Sequence, residues 1–75
     1  MIRQAVKSSN LAEVGYDPMK EVLEVRFQND AIYSYEKVSL KTYIELIGAH
    51  SIGAYFRENV MGQYPTTMLQ DRKRS

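Results

Sequence analysis

The stretch Val22-Leu23-Glu24-Val25-Arg26-Phe27-Gln28-Asn29-Asp30-Ala31-Ile32-Tyr33-Ser34-Tyr35 decides how this chain folds. Leu23, Val25 and Phe27 alternate with Glu24, Arg26 and Gln28, the pattern of a strand with one face on a core and the other in water. Asn29-Asp30 tolerates the left-handed backbone that a tight turn needs, so the chain returns as a strand from Ala31 to Lys37. In that strand Tyr33-Ser34-Tyr35 places two rings on one face. A two-residue turn pairs Arg26 with Tyr33 and Glu24 with Tyr35, and the rings then stand on the polar side as an aromatic and cationic platform. A three-residue loop or a bulge pairs Val25 with Tyr33 and Leu23 with Tyr35, and the rings enter the core. The first register would send Ile32, Ser34 and Glu36 inward, poor material to bury, whereas Asn-Asp favours the shorter turn. Both registers stay open on these residues.

Working outward, Leu11 to Tyr16 alternates with Ala12, Val14 and Tyr16 on one side, a first strand. Asp17-Pro18-Met19-Lys20 reads as the turn into the second, with Pro18 presetting the backbone and Asp17 bonding back to the main chain. After Val38 the period changes from two to about 3.6. Ser39 is placed to cap a helix whose Leu40, Tyr43, Ile44 and Ile47 share a stripe. Gly48 to Ser51 interrupts it, Ser51 caps a second helix with Ile52, Phe56 and Val60 in a row, and Gly62 stops that helix before Pro65. The expected architecture is α+β: a three-stranded antiparallel meander covered on one face by two short helices, β-β-β-α-α, over residues 6–65. Residues 66–75 carry no periodic signal and are expected to be a mobile basic tail.

With 75 residues the chain has room for one domain, and a core of that size supplies only ~3–5 kcal/mol of net stability. The formal charge is +1, from ten Lys and Arg against nine Asp and Glu. Asp71-Arg72-Lys73-Arg74-Ser75 holds three of those cations and one anion, which leaves seven cations against eight anions before it. The body therefore lacks the broad basic face typical of nucleic-acid binders. The sequence contains no cysteine, and no segment approaches the ~18 consecutive apolar residues of a membrane span. A cytoplasmic protein without a membrane association is expected.

No chemistry of the catalytic kind is indicated. His50 beside Ser51, with Asp17 or Glu45 as orienting acid, falls short of a nucleophile, base and orienter converging in a pocket, and reads better as a surface and capping pair. One histidine without cysteine is too few for a metal site, and no cofactor is expected. Ser51-x-Gly53 at a helix start has amides suited to an anion, although capping by Ser51 and close packing at Gly53 account for both residues. Arg72-Lys73-Arg74 is either a phosphate-docking cluster or a solvated end.

Taken in order, Val6-x-Ser8-Ser9-x-Leu11, Val14-Gly15-Tyr16-Asp17, Leu23-x-Val25-x-Phe27, Tyr33-x-Tyr35, Val38, Tyr43, Ala49-x-Ser51-x-Gly53-x-Tyr55-Phe56 and Tyr64 resemble the KTSC domain. That family takes its name from the C-terminus of some lysyl-tRNA synthetases and also occurs as small stand-alone bacterial and phage proteins. The resemblance covers about Val6 to Pro65 and implies a non-enzymatic domain with a central Y-x-Y, for which RNA is the suggested ligand. The chain departs from the family pattern at Asp30, where glycine is usual, at Ser39, where proline tends to follow the valine, and at Arg57, where asparagine is frequent.

Two functions follow as expectations. The first is an RNA-binding module in which Tyr33 and Tyr35 stack on bases while Arg26, Arg57, Arg72, Lys73 and Arg74 hold phosphates, with Ser51 and Gly53 as an anion site. The second is a protein-interaction module, monomeric or weakly homodimeric, that docks a partner through the exposed sheet face or an open edge.

Overall fold

The computed structural model describes residues 2–73. Five antiparallel strands, β1 (Gln4–Ala5), β2 (Leu11–Asp17), β3 (Val22–Phe27), β4 (Ile32–Tyr35) and β5 (Thr66–Gln70), lie in the order β1-β2-β3-β4-β5. Helices α1 (Leu40–Ile47) and α2 (Ile52–Asn59) sit between β4 and β5 in the chain. The α+β class and the central meander are as the alternation dictates, but the sheet has five strands rather than three. Thr66–Gln70, expected within a mobile tail, adds to β4 along its whole length, with Tyr35 opposite Thr66 and Tyr33 opposite Met68. The Glu36 N–H donates to the Pro65 carbonyl at 2.9 Å and starts that pairing. At the other edge Gln4 and Ala5 pair with Val14 and Glu13.

The hairpin between β3 and β4 settles the register. The Asp30 N–H donates to the Phe27 carbonyl at 2.9 Å and the Phe27 N–H to the Ala31 carbonyl at 2.8 Å, closing a three-residue loop, Gln28 to Asp30. Asp30 takes the left-handed conformation with φ 71° that such a loop requires at its third position. Val25 therefore faces Tyr33 and Leu23 faces Tyr35, which turns both tyrosines to the helical side and rules out the platform beside Arg26. β2 carries a bulge between Leu11 and Glu13, so Leu11 joins Val14 in the core and Ala12 does not.

One contiguous core results, in which Leu11, Val14, Leu23, Val25, Tyr35, Val38, Leu46, Phe56 and Val60 are buried. Ser39 and Ser51 cap their helices as expected, accepting from the Thr42 and Ala54 N–H groups, each at 3.2 Å. α2 buries the Phe56 and Val60 row that its period marks out. α1 uses only Tyr43 of its apolar row. Leu46 is its buried residue, and Tyr43 stacks on Tyr16 with centroids 4.7 Å apart and planes 8° from parallel. Leu40, Ile44 and Ile47 are exposed instead. The physical cause is the clamp on this side: the Tyr16 hydroxyl donates to the Val38 carbonyl at 2.5 Å, and the Tyr55 hydroxyl to Glu45 Oε1 at 2.8 Å. These contacts hold α1 about one residue out of phase with its stripe.

Candidate functional site

Aromatic packing builds the floor of a cleft on the helical face. The Phe56 ring meets Phe27 and Tyr35 edge to face at centroid distances of 5.5 and 5.4 Å, and Phe27 meets Tyr33 in the same manner at 5.8 Å. Tyr35 is 4% exposed whereas Tyr33 is half-buried, so the pair of rings divides into one core residue and one that still reaches the surface. Burial, and secondarily the neighbouring Tyr33, pushes the Tyr35 phenol from 10.0 up to about 12. Tyr35 is thus a core aromatic, and only Tyr33 is placed to stack on a ligand.

The cleft encloses about 870 Å³ between α2, the tip of the β3–β4 hairpin and the end of β5. That volume lies within the usual range of small-ligand sites. Tyr33 and Phe27 line it together with Asn10, Arg57 and Arg72. A neighbouring cavity of about 400 Å³ is lined by Lys7, His50 and Ser51, and the two share Asn10, Gly53 and Arg57. Neither Arg57 nor Arg72 forms a salt bridge among the described residues. Asp71, the one carboxylate of the larger cleft, accepts from the Arg72 main-chain N–H at 2.7 Å.

The residues singled out in the sequence are therefore only partly together. Tyr33, Tyr35, Gly53, Arg57 and Arg72 line one cleft, and Ser51 lies in the adjoining cavity. Lys73 is exposed, and its N–H donates to the Asn29 carbonyl at 3.0 Å, which holds the chain after β5 against the hairpin tip. Arg74 lies outside the described residues. Arg26 is on the opposite face. Its Nε donates to Glu13 at 2.9 Å and its Nη1 to Asp30 at 2.7 Å. Arg3 joins the same carboxylate of Glu13 at 3.1 Å and also reaches Glu24. Arg26, and then Arg3, holds the Glu13 carboxyl below the ordinary carboxylate range.

The serine and glycine positions have structural work. Ser51 Oγ is the α2 cap, and Ser8 Oγ accepts from the Asn10 and Leu11 N–H groups, each at 3.2 Å. A Cβ at Gly53 would lie 3.2 Å from Ser8 Oγ, so the glycine permits the close approach of α2 to the β1–β2 loop. Glu45 is occupied by Tyr55, and Asp17 accepts from the Met19 and Lys20 N–H groups at 3.0 and 3.2 Å. Neither orients His50. Lys7, Asn10 and Phe27 were not legible as cleft residues. Their convergence depends on Gln28, whose side-chain amide donates to the Ser8 and Leu11 carbonyls at 3.1 and 3.2 Å and draws the β1–β2 loop to the hairpin.

The comparisons with known proteins agree with this fold and its motifs. The model of the KTSC domain matches residues 7–64. This chain belongs to the KTSC domain family. An uncharacterized protein of Stutzerimonas stutzeri is 41% identical over 58 residues, covering 77% of this chain and 82% of the relative. A lysine–tRNA ligase of Nostoc is 39% identical over 54 residues, which is 72% of this chain but 10% of the ligase. The crystal structure of a KTSC domain protein from Yersinia pestis superposes with a TM-score of 0.88 at 29% identity, covering 91% of this chain and 96% of that one. No helix among the described residues is long and apolar enough to cross a membrane.

Proposed function

We propose that this KTSC domain protein is a small non-enzymatic module that binds single-stranded RNA in the cleft above Phe27 and Tyr33. The observation that carries the reading is the conjunction of a half-exposed ring with two arginines that have no salt bridge among the described residues, all lining one cavity. Stacking one base on an aromatic side chain contributes ~1–3 kcal/mol, and phosphate contacts add a salt-dependent term. Tyr33 would supply the first and Arg57, Arg72 and Lys7 the second. The lysine–tRNA ligase relative acts on an RNA, which favours this ligand over other polyanions. Lys73 extends the cationic rim, whereas Arg26 is assigned no part because it stands on the opposite face, where its Nε and Nη1 donate to carboxylates.

Titration of labelled single-stranded RNA at low salt tests the reading, with Tyr33→Ala and Arg57→Gln as the variants. Tyr35 is unsuitable because its loss would damage the core. The wild type is expected to bind weakly, with a slope of log affinity against log salt of about −1.4 to −2.1 for two to three phosphate contacts. Tyr33→Ala should weaken binding about fivefold or more without changing that slope, and Arg57→Gln should lower the slope. No wild-type binding, or equal affinity for all three proteins, would refute the proposal.

A further inference from the structure

The aliphatic row of α1 is the part of this molecule that its own fold leaves unused. Leu40, Ile44 and Ile47 stand at i, i+4 and i+7 and are 50%, 54% and 45% exposed, while Leu46 and Tyr43 attach the helix to the sheet. In so small a domain, aliphatic surface left in water is stabilisation forgone. Side by side on two helical turns, the three present a patch on the order of 300 Å², a size at which apolar patches on monomers are often contact surfaces.

We propose that α1 is a self-association surface, on which two copies of this chain pack their first helices antiparallel about a twofold axis near Ile44. The row is its own complement in that arrangement. Ile44 meets the second copy's Ile44, and Leu40 of each copy approaches the second copy's Ile47. The charges agree with it. Lys41 and Glu45 are both exposed beside the row, one in each half of the helix. Antiparallel packing brings the same flank of the two helices together and so sets each Lys41 near the second copy's Glu45, whereas parallel packing puts the two Lys41–Glu45 flanks on opposite sides of the seam, where no such pair forms. Opposed helix dipoles favour the same orientation.

The open sheet edges compete less well for a second copy. β1 has only two residues, and β5 is irregular between its partners Ile32 and Tyr33 and runs into Asp71-Arg72-Lys73. Short strands, bulges and flanking charges are the devices that blunt an edge. Two α1 patches together bury on the order of 600 Å², half of the ~1,200 Å² at the lower end of stable specific interfaces. The dimer is therefore weak, forming at high micromolar concentrations, and a single substitution is enough to abolish it. α1 lies over Tyr16 of β2, away from the larger cleft at the β4–β5 side, so association leaves that cleft open.

Sedimentation velocity on the full chain from about 10 µM to about 1 mM tests this. The wild-type sedimentation coefficient should rise with concentration toward that of a dimer. Ile44→Glu should stay monomeric, with association weakened about tenfold or more and a thermal midpoint close to that of wild type, because the side chain it replaces is more than half exposed. Lys41→Glu and Glu45→Lys should each associate poorly alone but associate when mixed, since only the mixture restores both cross-helix pairs. Glu45→Lys also gives up the bond from the Tyr55 hydroxyl, a loss that mixing does not restore, so recovery in the mixture reports the cross-helix charge alone. A wild type that is monomeric at the highest concentration would overturn the proposal, as would Ile44→Glu associating like wild type. A mixture no better than its components would overturn the antiparallel arrangement. None of these results depends on RNA.

Discussion

The two faces of one sheet treat their arginines in opposite ways. On the outer face Arg3 and Arg26 share Glu13, Arg26 continues to Asp30 and Arg3 reaches Glu24, so each guanidinium meets carboxylates. On the helical face Arg57 and Arg72 border an aromatic cleft and form no salt bridge among the described residues. The placement of carboxylates, more than the count of cations, decides where this nearly neutral molecule can hold an anion. An arginine whose charge is already balanced by carboxylates attracts a phosphate less. The aromatic residues reinforce the difference, since they are gathered on the helical side while the outer face carries the ladder of charged pairs beside the buried Ile32.

The largest expected effect separates the faces by their energetics. Phe56 is 2% exposed and touches both Phe27 and Tyr35, so Phe56→Ala should cost about 3–5 kcal/mol, comparable to the whole net stability of a domain this size. Circular dichroism should show no cooperative thermal transition. Arg26→Gln on the outer face should keep one. If the two variants unfolded alike, the outer ladder would have to be counted as part of the core.

A smaller loss is expected at Gly15, where the outer face admits its N-terminal strand. A Cβ there would stand 2.9 Å from the Ile2 carbonyl oxygen and 3.1 Å from Arg3 Cγ, and backbone cannot give way as a flexible side chain can. Gly15→Ala should displace β1, free Arg3 from Glu13 and Glu24, and lower stability by about 1–3 kcal/mol. Hydrogen exchange would check it, with faster exchange on the β1 side of β2 and little change in α2. Uniform protection would show that β1 adjusts without detaching.

The parts legible in the sequence are those that local chemistry decides. Leu23, Val25 and Phe27 mark β3 by period, Ser39 and Ser51 mark both helix starts by their oxygens, and Phe56 with Val60 marks the inner row of α2. The parts that escaped depend on partners distant along the chain. Thr66–Gln70 is a strand because β4 offers it an edge, and all five of its residues are exposed, so no alternation betrays it. The hairpin register turns on one residue, Asp30, taking a left-handed backbone that its type tolerates without announcing. Periodicity alone cannot say whether the row on α1 faces its own core or another surface, because the same apolar stripe serves both. In the cleft, Tyr33, Arg57 and Arg72 could be named from residue type, but the separation of Arg26 from them followed only from the register.

Alkaline titration sharpens the comparison from the aromatic side. The Tyr35 phenol is raised from 10.0 to about 12, burial being the main cause. Between these values the unfolded chain loses a proton that the folded chain keeps, so the stabilisation is complete below pH 10 and declines as pH rises toward 12. The hydroxyl borders the cleft, where water screens it, so the effect is on the order of 1–2 kcal/mol rather than the full value of the shift. Thermal midpoints measured across this range should fall more steeply for wild type than for Tyr35→Phe. Parallel curves would mean that the phenol is as well hydrated in the folded state as in the unfolded one.

The smallest effect is expected at Asp30, where two outer-face contributions oppose each other. Its left-handed backbone, φ 71°, costs a non-glycine residue about 1 kcal/mol, which Asp30→Gly would relieve. The same substitution removes the carboxylate that accepts from Arg26 Nη1 at 2.7 Å. Salt distinguishes the two, because screening weakens an exposed ion pair and leaves a torsional preference untouched. Asp30→Gly should be close to neutral at low ionic strength and mildly stabilising at high ionic strength, in thermal midpoints measured beside wild type. The freed Arg26 guanidinium still has Glu13 as a partner, so the substitution should leave RNA affinity unchanged. A gain in affinity would show instead that the outer face can hold phosphate once one carboxylate is taken away, and the division between the two faces would then rest on a single side chain.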